Sequence, residues 1–300
     1  SIAQFIKPGD MIILESTSPV GTTEKIKEIL KNCGVNLDDV HIAYCPERVL
    51  PGKIMTEIVE NDRIVGGLTS ISTIKVMEFY RLFVSGNIIA TDAKTAEMCK
   101  LAENSFRDLN IAFANELSMI CDKQDINIWN LIKLANQHPR VNILQPSTGV
   151  GGHCIAVDPW FIVSQNKEKA KLIRAAREVN NYKTKWVINK IKNNLVNSIP
   201  KNGIKLKIAC LGLTFKPNIN DLRESKALEV TETLLAEGFE VITVEPNIQL
   251  HKNFKILNMF DAIEQADLIC ILVKHREFLK PEVKNKLVKC KVLDFCGALS

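Results

Sequence analysis

The sequence predicts an α/β protein in which two strand–helix alternating segments flank an all-helical middle. Three observations predict it. Short apolar runs of four to six residues alternate with helical patterns over residues 11–90. Ala93–Gln124 then runs without a single Gly or Pro, and no strand-like run interrupts the chain until about residue 200. Beyond Lys207 the alternation resumes. Strands that alternate with helices build parallel sheets, because a parallel pair needs a crossover and a helix supplies it.

The elements follow in order. Met11–Glu15 (MIILE) is a strand that ends in a Ser/Thr/Pro/Gly cluster, and Thr22–Asn32 is a helix. His41–Cys45 is a strand stopped by Pro46, since proline cannot extend a ladder. Arg63–Gly66 and Asn87–Ala90 are strands around a helical Ser72–Val84. In the middle third, Asn127–Gln137 is helical up to Pro139, the loop Gly149-Val150-Gly151-Gly152 follows, and Asp158-Pro159 opens a helical region to about Asn194 with a break near Asn166. Pro200-Lys201-Asn202-Gly203 is a turn or linker. Lys207–Leu211, Glu240–Val244, Leu268–Val273 and Val292–Phe295 are strands, with a helix over Ser225–Glu237. The boundaries drawn from this are 1–91, 92–199 and 200–300.

Composition narrows the function classes. The chain has 300 residues, 46% hydrophobic and 24% charged, as ordinary globular proteins have, so disordered, collagen-like and coiled-coil readings fall away. No apolar run approaches the roughly 18–20 residues of a membrane span. A net charge of +5 suits an anionic small molecule and makes no case for nucleic acid. Nine cysteines, an odd number without a CxxC pair, fit reduced thiols in a reducing, cytoplasmic compartment, and the five histidines lack metal-ligand spacing. The chain opens on Ser1, and nothing in it resembles a first strand with its glycine turn. Residues 1–91 are therefore expected to be the later part of a larger α/β domain.

Several positions carry chemistry. In Gly151-Gly152-His153-Cys154-Ile155-Ala156-Val157-Asp158-Pro159 the glycines let backbone approach a ligand, a helix start after Cys154 favours a thiolate, and Asp158 at i+4 would hold a water near the sulfur if the segment is helical. The same residues fit a glycine turn, a small buried Cys and an Asp cap before Pro. Lys100 and Asn104 at i and i+4 share a helix face that Arg107 continues; together they can donate to a developing oxyanion, or simply be a solvated face. Glu47 on a strand-end loop is a general-base candidate or a surface carboxylate. Ser16–Gly21 is another strand-end loop leading to a helix N-terminus, which either faces an anion or is merely capped. No GxGxxG occurs, and Gly212-Leu213-Thr214 makes at most a lone tight turn.

The order STxPxG, PER, KxxxN, GGxCxxxD and FKxxxxxxRES, here Ser16–Gly21, Pro46–Arg48, Lys100–Asn104, Gly151–Asp158 and Phe215–Ser225, resembles the nucleotide-sugar 6-dehydrogenases, the UDP-glucose/GDP-mannose dehydrogenase family. Within it, CPERVLPG, HPRVNILQP and GVGGHCIAVDPWF look most like the branch acting on UDP-N-acetyl-D-mannosamine. Pro51 stands where relatives acting on UDP-glucose often carry a second acid, which shifts the substrate expectation the same way.

The resemblance implies a partial Rossmann-like NAD domain, a central helical dimerisation domain and a second Rossmann-like, UDP-binding domain. It implies NAD as cofactor, a UDP-sugar as substrate and a homodimer or higher homo-oligomer. It implies Cys154 as nucleophile through a thiohemiacetal and thioester. Lys100 and Asn104 would stabilise oxyanions, Asp158 and Thr17 would order water, and Glu47 would help thioester hydrolysis. Arg48, Val49, Arg107, His138, Arg140 and Gly151 match substrate contacts, with Arg140 reaching a neighbouring subunit. Phe215 and Lys216 match the uridine-diphosphate side, and Arg223, like Thr17, a cofactor contact. The competing expectations are a truncated, inactive remnant that only binds UDP-sugar or dimerises, and a 6-dehydrogenase for UDP-GlcNAc or UDP-glucose. The β-hydroxyacid dehydrogenases share a helix-borne Lys/Asn pair but lack the GGHC thiol and the second α/β domain.

Overall fold

A computed structural model describes residues 2–49, 53–196 and 206–300. Pro51 and the turn at Pro200-Lys201-Asn202-Gly203 lie outside the described residues. The chain forms two compact units, Ser1–Ser105 with Asp158–Lys167, and Phe106–Val157 with Glu168–Ser300.

In the first unit, β1 (Met11–Leu14), β2 (His41–Tyr44), β3 (Arg63–Gly67) and β4 (Ile88–Asp92) form one sheet in that order. β1 pairs with β2 and β3 with β4 in parallel, as alternation predicts. β2 and β3 pair antiparallel, through Ala43↔Gly67 and Tyr44↔Gly66 only, so this sheet is mixed. The reason lies in the connector. Its described residues hold one helix, α2 (Ile54–Glu60), of seven residues, which spans about 10 Å at 1.5 Å per residue and does not carry the chain back along the sheet. α2 was not legible in the sequence; IMTEIVE has no buried residue and three β-branched apolar side chains, so no helical stripe stands out.

α3 (Ser70–Tyr80), capped by the Thr69 side chain on the Ser72 N–H, covers this sheet, and Val76 and Tyr80 pack with Ala43, Cys45 and Val65. The N-terminus of α1 (Thr22–Asn32) has no cap of its own, because Gly21 sits there in the left-handed region at φ 92°. Glu97, fully buried near the start of α4 (Ala93–Lys123), does the work instead. Its carboxylate accepts from the Gly21 N–H at 2.6 Å, the Thr23 N–H at 2.8 Å and the Thr23 hydroxyl at 2.7 Å. A charged acceptor at a helix N-terminus gains from both the hydrogen bonds and the macrodipole.

The second unit holds a wholly parallel sheet in the order β6–β5–β7–β8, with β5 (Lys207–Leu211), β6 (Glu240–Val244), β7 (Leu268–Ile271) and β8 (Val292–Asp294). Strand periodicity sorts its core into two layers. Ile208 and Cys210 of β5, with Leu268 and Cys270 of β7, face Val187, Ile191 and Leu195 of α7 (Lys171–Val196) and Val230 and Leu234 of α8 (Lys226–Ala236). Ala209, Leu211, Ile269 and Ile271 face the other way, onto α9 (Met259–Gln265) and α10 (Pro281–Leu287) through Ala262, Ile263, Val283 and Leu287. Burial on both faces explains why these strands read as continuous apolar runs. It also pushes the Cys210 thiol up to about 12, which makes it an inert core residue.

Polar rungs join α7 to the second half of α4. Arg177 meets Asp108 at 2.6 Å with both side chains almost wholly buried, and the Asn180 amide donates to Asp108 at 2.7 Å. Asn115 donates to Asn180 at 2.9 Å, and Lys190 pairs with Asp122 at 2.7 Å. Lys183, also buried, donates to the Ser118 hydroxyl at 2.6 Å and lies 4.0 Å from the centre of the Trp186 ring. Burial drives its pKa down to about 7, against the pull of Asp122. A lysine depressed in the folded state binds its proton more tightly when unfolded. Stability should therefore rise with pH from about 7 to about 10.5. Urea titrations over that range are expected to show the rise in the wild type and a flatter curve in Lys183→Met.

Candidate active site

α4 presents Lys100 and Asn104 one turn apart in the first unit, as the spacing requires. The Lys100 ammonium donates to the Glu47 carbonyl at 2.7 Å, which ties α4 to the loop after β2. That loop is held at its root by the Glu47 N–H on the Glu15 carbonyl at 3.2 Å. The Glu47 carboxylate turns back onto the Val49 N–H, and Arg48 pairs with Glu103. Asp158 opens α6 (Asp158–Gln165), is 4% exposed and accepts from the Asn104 amide. Burial holds its carboxyl above the ordinary range, while the Asn104 bond and the Lys100 charge pull it back down. The result is a lysine, an amide and a shielded carboxyl around one spot, able to bind an oxyanion and to pass a proton. Thr17 is half-buried in the loop after β1.

Two residues here were missed from sequence. Tyr44, the last residue of β2, is fully buried, and its phenol is pushed far up by burial, then by the charges of Glu97 and Asp158. Glu97 precedes Lys100 by one turn of the same helix; that spacing was the available signal, and its partners in α1 gave no local one.

In the second unit, Cys154 is exposed on the loop after Gly151-Gly152. Val157 donates to the Cys154 carbonyl at 3.1 Å, so residues 154–157 make a turn, and helical structure begins only at Asp158. The conditional helix between Cys154 and Asp158 does not form. The glycines are required by packing: a Cβ on Gly151 would stand 2.5 Å from the Glu224 carbonyl and 3.0 Å from the Phe215 Cβ. One on Gly152, where φ is +77°, would stand 3.1 Å from the Phe215 ring. Arg223 lies within electrostatic reach of Cys154 and forks onto Asp221 at 2.6 Å. Lys216 is exposed, its carbonyl held by the Thr214 hydroxyl at 3.0 Å. His138 and Arg140 are exposed beyond α5 (Ile128–Ala135), joined by the Arg140 N–H on His138 Nδ1 at 3.3 Å, and Arg107 is exposed on α4. The structure thus brings together Lys100, Glu47, Val49, Asn104 and Asp158 in one unit. In the other it groups Gly151, Cys154, Phe215 and Arg223.

Three domain models match the chain in order: the NAD binding domain of the UDP-glucose/GDP-mannose dehydrogenase family over residues 1–84, its central domain over 94–182 and its UDP binding domain over 209–300. The chain belongs to the UDP-glucose/GDP-mannose dehydrogenase family. Among relatives of this family, it is 52% identical to the UDP-N-acetyl-D-mannosamine dehydrogenase of Campylobacter jejuni, over 99% of this chain and 74% of that protein. It is 53% identical to the enzyme of the same name from Escherichia coli K12, over 93% of this chain and 70% of that protein. Among solved structures, the UDP-D-ManNAc dehydrogenase of Pyrococcus horikoshii superposes with a TM-score of 0.89 at 36% identity, covering 100% of this chain and 72% of that one. The UDP-N-acetyl-mannosamine dehydrogenase of Staphylococcus aureus superposes at 0.84 with 40% identity, covering 100% and 71%.

The residues present fit the reactive end of NAD. The loops after β1 and β2 leave their parallel pair at its C-terminal edge, where dinucleotides sit in open α/β sheets, and Thr17 lies in the first of them. The N-terminus of α1 is no phosphate cradle, because Glu97 already takes its N–H groups. Among the described residues no cluster suits a metal ion, and no helix is long and apolar enough to cross a membrane.

Proposed function

We propose that this chain oxidises UDP-N-acetyl-D-mannosamine at C6 to the uronate, with two molecules of NAD and one of water consumed per sugar. The observation that carries the reading is the exposed Cys154 on a glycine loop packed under Phe215, in a chain that also presents Lys100, Asn104 and a shielded Asp158. NAD, when bound, supplies the hydride acceptor for both oxidations, and Thr17 and Arg223 are the residues that would hold it.

Lys100 steadies the oxygen of the C6 alcohol as its proton leaves. The Cys154 sulfur then adds to the aldehyde carbon, its proton passing to the new oxygen, and a thiohemiacetal results. Asn104 and Lys100 donate to that oxygen. Loss of hydride from the same carbon leaves a thioester. Water held by Asp158, with Glu47 accepting its proton, attacks the thioester carbonyl, and the C–S bond breaks to return Cys154 and release the carboxylate. Arg48, Val49, Arg107, His138, Arg140 and Gly151 would contact the sugar, and Phe215 and Lys216 the uridine-diphosphate end, where the Lys216 ammonium would meet a dianion.

The test is a substrate panel with product analysis. UDP-N-acetyl-D-mannosamine should yield two NADH per uronate, with UDP-GlcNAc and UDP-glucose at least about tenfold poorer, as expected where one epimeric or acetamido contact is lost. Faster turnover of either comparator overturns the substrate; UDP binding without NADH overturns the activity in favour of a binding remnant.

We also propose a homodimer through α4. Phe106, Phe113 and Ile120, seven residues apart, stand 72%, 50% and 46% exposed on one stripe of this helix. A seven-residue apolar repeat on a solvent-facing helix suits a second helix. Sedimentation should give a dimer for the wild type and a monomer for Phe113→Glu.

A further inference from the structure

We propose that His275 and Glu245 form a buried hub that sets the position of the Phe215–Lys216 loop, making them positioning residues for the diphosphate end of the substrate. The proposal rests on the reading above that this loop takes that end. Both side chains are fully or almost fully buried where β6 and β7 end, in the second unit. Neither touches any residue assigned to the chemistry. They hold the backbone of the loop instead.

The hydrogen bonds fix the chemistry of the hub. His275 Nδ1 receives the Asn218 backbone N–H at 3.0 Å and the Asn247 amide at 3.0 Å. A backbone N–H can only donate, so Nδ1 is the lone-pair nitrogen and the proton sits on Nε2. Nε2 then donates to Glu245 Oε2 at 3.0 Å, with the Thr214 hydroxyl oxygen at 3.2 Å. Glu245 Oε2 also takes the Leu213 N–H at 2.7 Å and the Thr214 N–H at 3.3 Å, while Oε1 takes the Asn247 N–H at 2.8 Å. Burial disfavours the Glu245 carboxylate, but the His275 bond and these N–H groups outweigh it and keep it ionised.

The hub therefore grips the loop at both ends, Leu213-Thr214 through Glu245 and Asn218 through His275. Asn218 also accepts from the Arg276 N–H at 2.9 Å and sits in the left-handed region at φ 62°. Between the grips stand Phe215, which backs Gly151 and Gly152 ahead of Cys154, and Lys216. The loop's other edge is buttoned by the Phe215 N–H on the Asp221 carbonyl at 3.2 Å and by the Ser225 hydroxyl on the Leu213 carbonyl at 2.7 Å. Unpaired, the part-buried Asn218 tether would cost a hydrogen bond's worth of order in a loop that has to meet a diphosphate.

Asn and Gln substitutions separate positioning from mere filling. Asn at 275 places an amide oxygen near the Nδ1 position and keeps the acceptor for Asn218. Gln is closer to His in volume, but reproduces the Nε2 side and drops that tether. UDP binding measured by calorimetry should stay within about threefold of wild type in His275→Asn and weaken about tenfold in His275→Gln, the size of one net hydrogen bond. In a Lys216→Ala background the Asn/Gln difference should vanish. Asn218→Gly, at a site that tolerates positive φ, removes the Arg276 strap without touching the core and should weaken UDP in the same direction. Equal affinities for the Asn and Gln variants, or an order following side-chain volume, would overturn the proposal. Failure of the wild type to bind UDP would instead overturn the assignment of the loop.

Discussion

Replacing Cys154 by alanine should stop uronate production while leaving the first oxidation running. The thiol is exposed on its turn, and the proposed chemistry needs it only after an aldehyde exists. Uronate formation should fall by about 10³-fold or more, the scale seen when a covalent nucleophile is removed. The NADH yield per sugar should drop from two to one, and hydroxylamine should trap a C6 aldehyde from Cys154→Ala that the wild type never releases. Iodoacetamide should inactivate the wild type, with UDP-sugar protecting; Cys33, also exposed, is the control site, and its alkylation should leave the rate unchanged. Uronate made by the alanine variant at a rate near wild type would remove Cys154 from the mechanism.

Arg177→Met should be the most damaging substitution away from the chemistry. It strips the partner from Asp108, whose side chain is 1% exposed, and burial already lifts that carboxyl above its usual range despite Arg177 and Asn180. Breaking a buried pair from one side costs about 3–5 kcal/mol, because an uncompensated charge remains. Replacing both partners, Arg177→Met with Asp108→Leu, should recover most of the loss. The comparison is between urea midpoints of the three proteins. The deficit of the single variant should shrink toward acid pH. An acid whose folded-state pKa is raised contributes stability below its unfolded value and loses it as pH rises through the folded one. A single variant as stable as the wild type would show that the pair carries no net charge interaction.

How much was legible in the sequence depended on how far each signal reached. The second sheet was readable strand by strand because β5 and β7 are buried on both faces and so spell apolar runs. α4 was readable from its unbroken composition, and with it the shared face of Lys100 and Asn104. The antiparallel turn-back between β2 and β3 was not, since two ladder pairs leave no mark on alternation. The Glu97 cap joins groups 74 to 76 positions apart, and Arg177 meets Asp108 across 69. Nothing in a local window announces such a partner. The Asp158 carboxyl was picked out by its place after Cys154, yet its raised pKa comes from burial, offset only in part by the bond from Asn104, 54 positions earlier. His275 passed as an unremarkable histidine for the same reason: its meaning is in Glu245, 30 positions away.

The Glu97 carboxylate has a mechanical consequence. It rivets the front of α1, and so the end of the Thr17 loop, to the helix turn just ahead of Lys100. The end of the loop that would meet the hydride acceptor and the cation that would steady the substrate oxygen therefore share one anchor. A displacement of α1 reaches the turn ahead of Lys100 through these hydrogen bonds, without passing through the sheet. Loosening that joint should blur the alignment of both oxidations together, so a Glu97 variant would read as a geometry fault common to two steps rather than as the loss of either one.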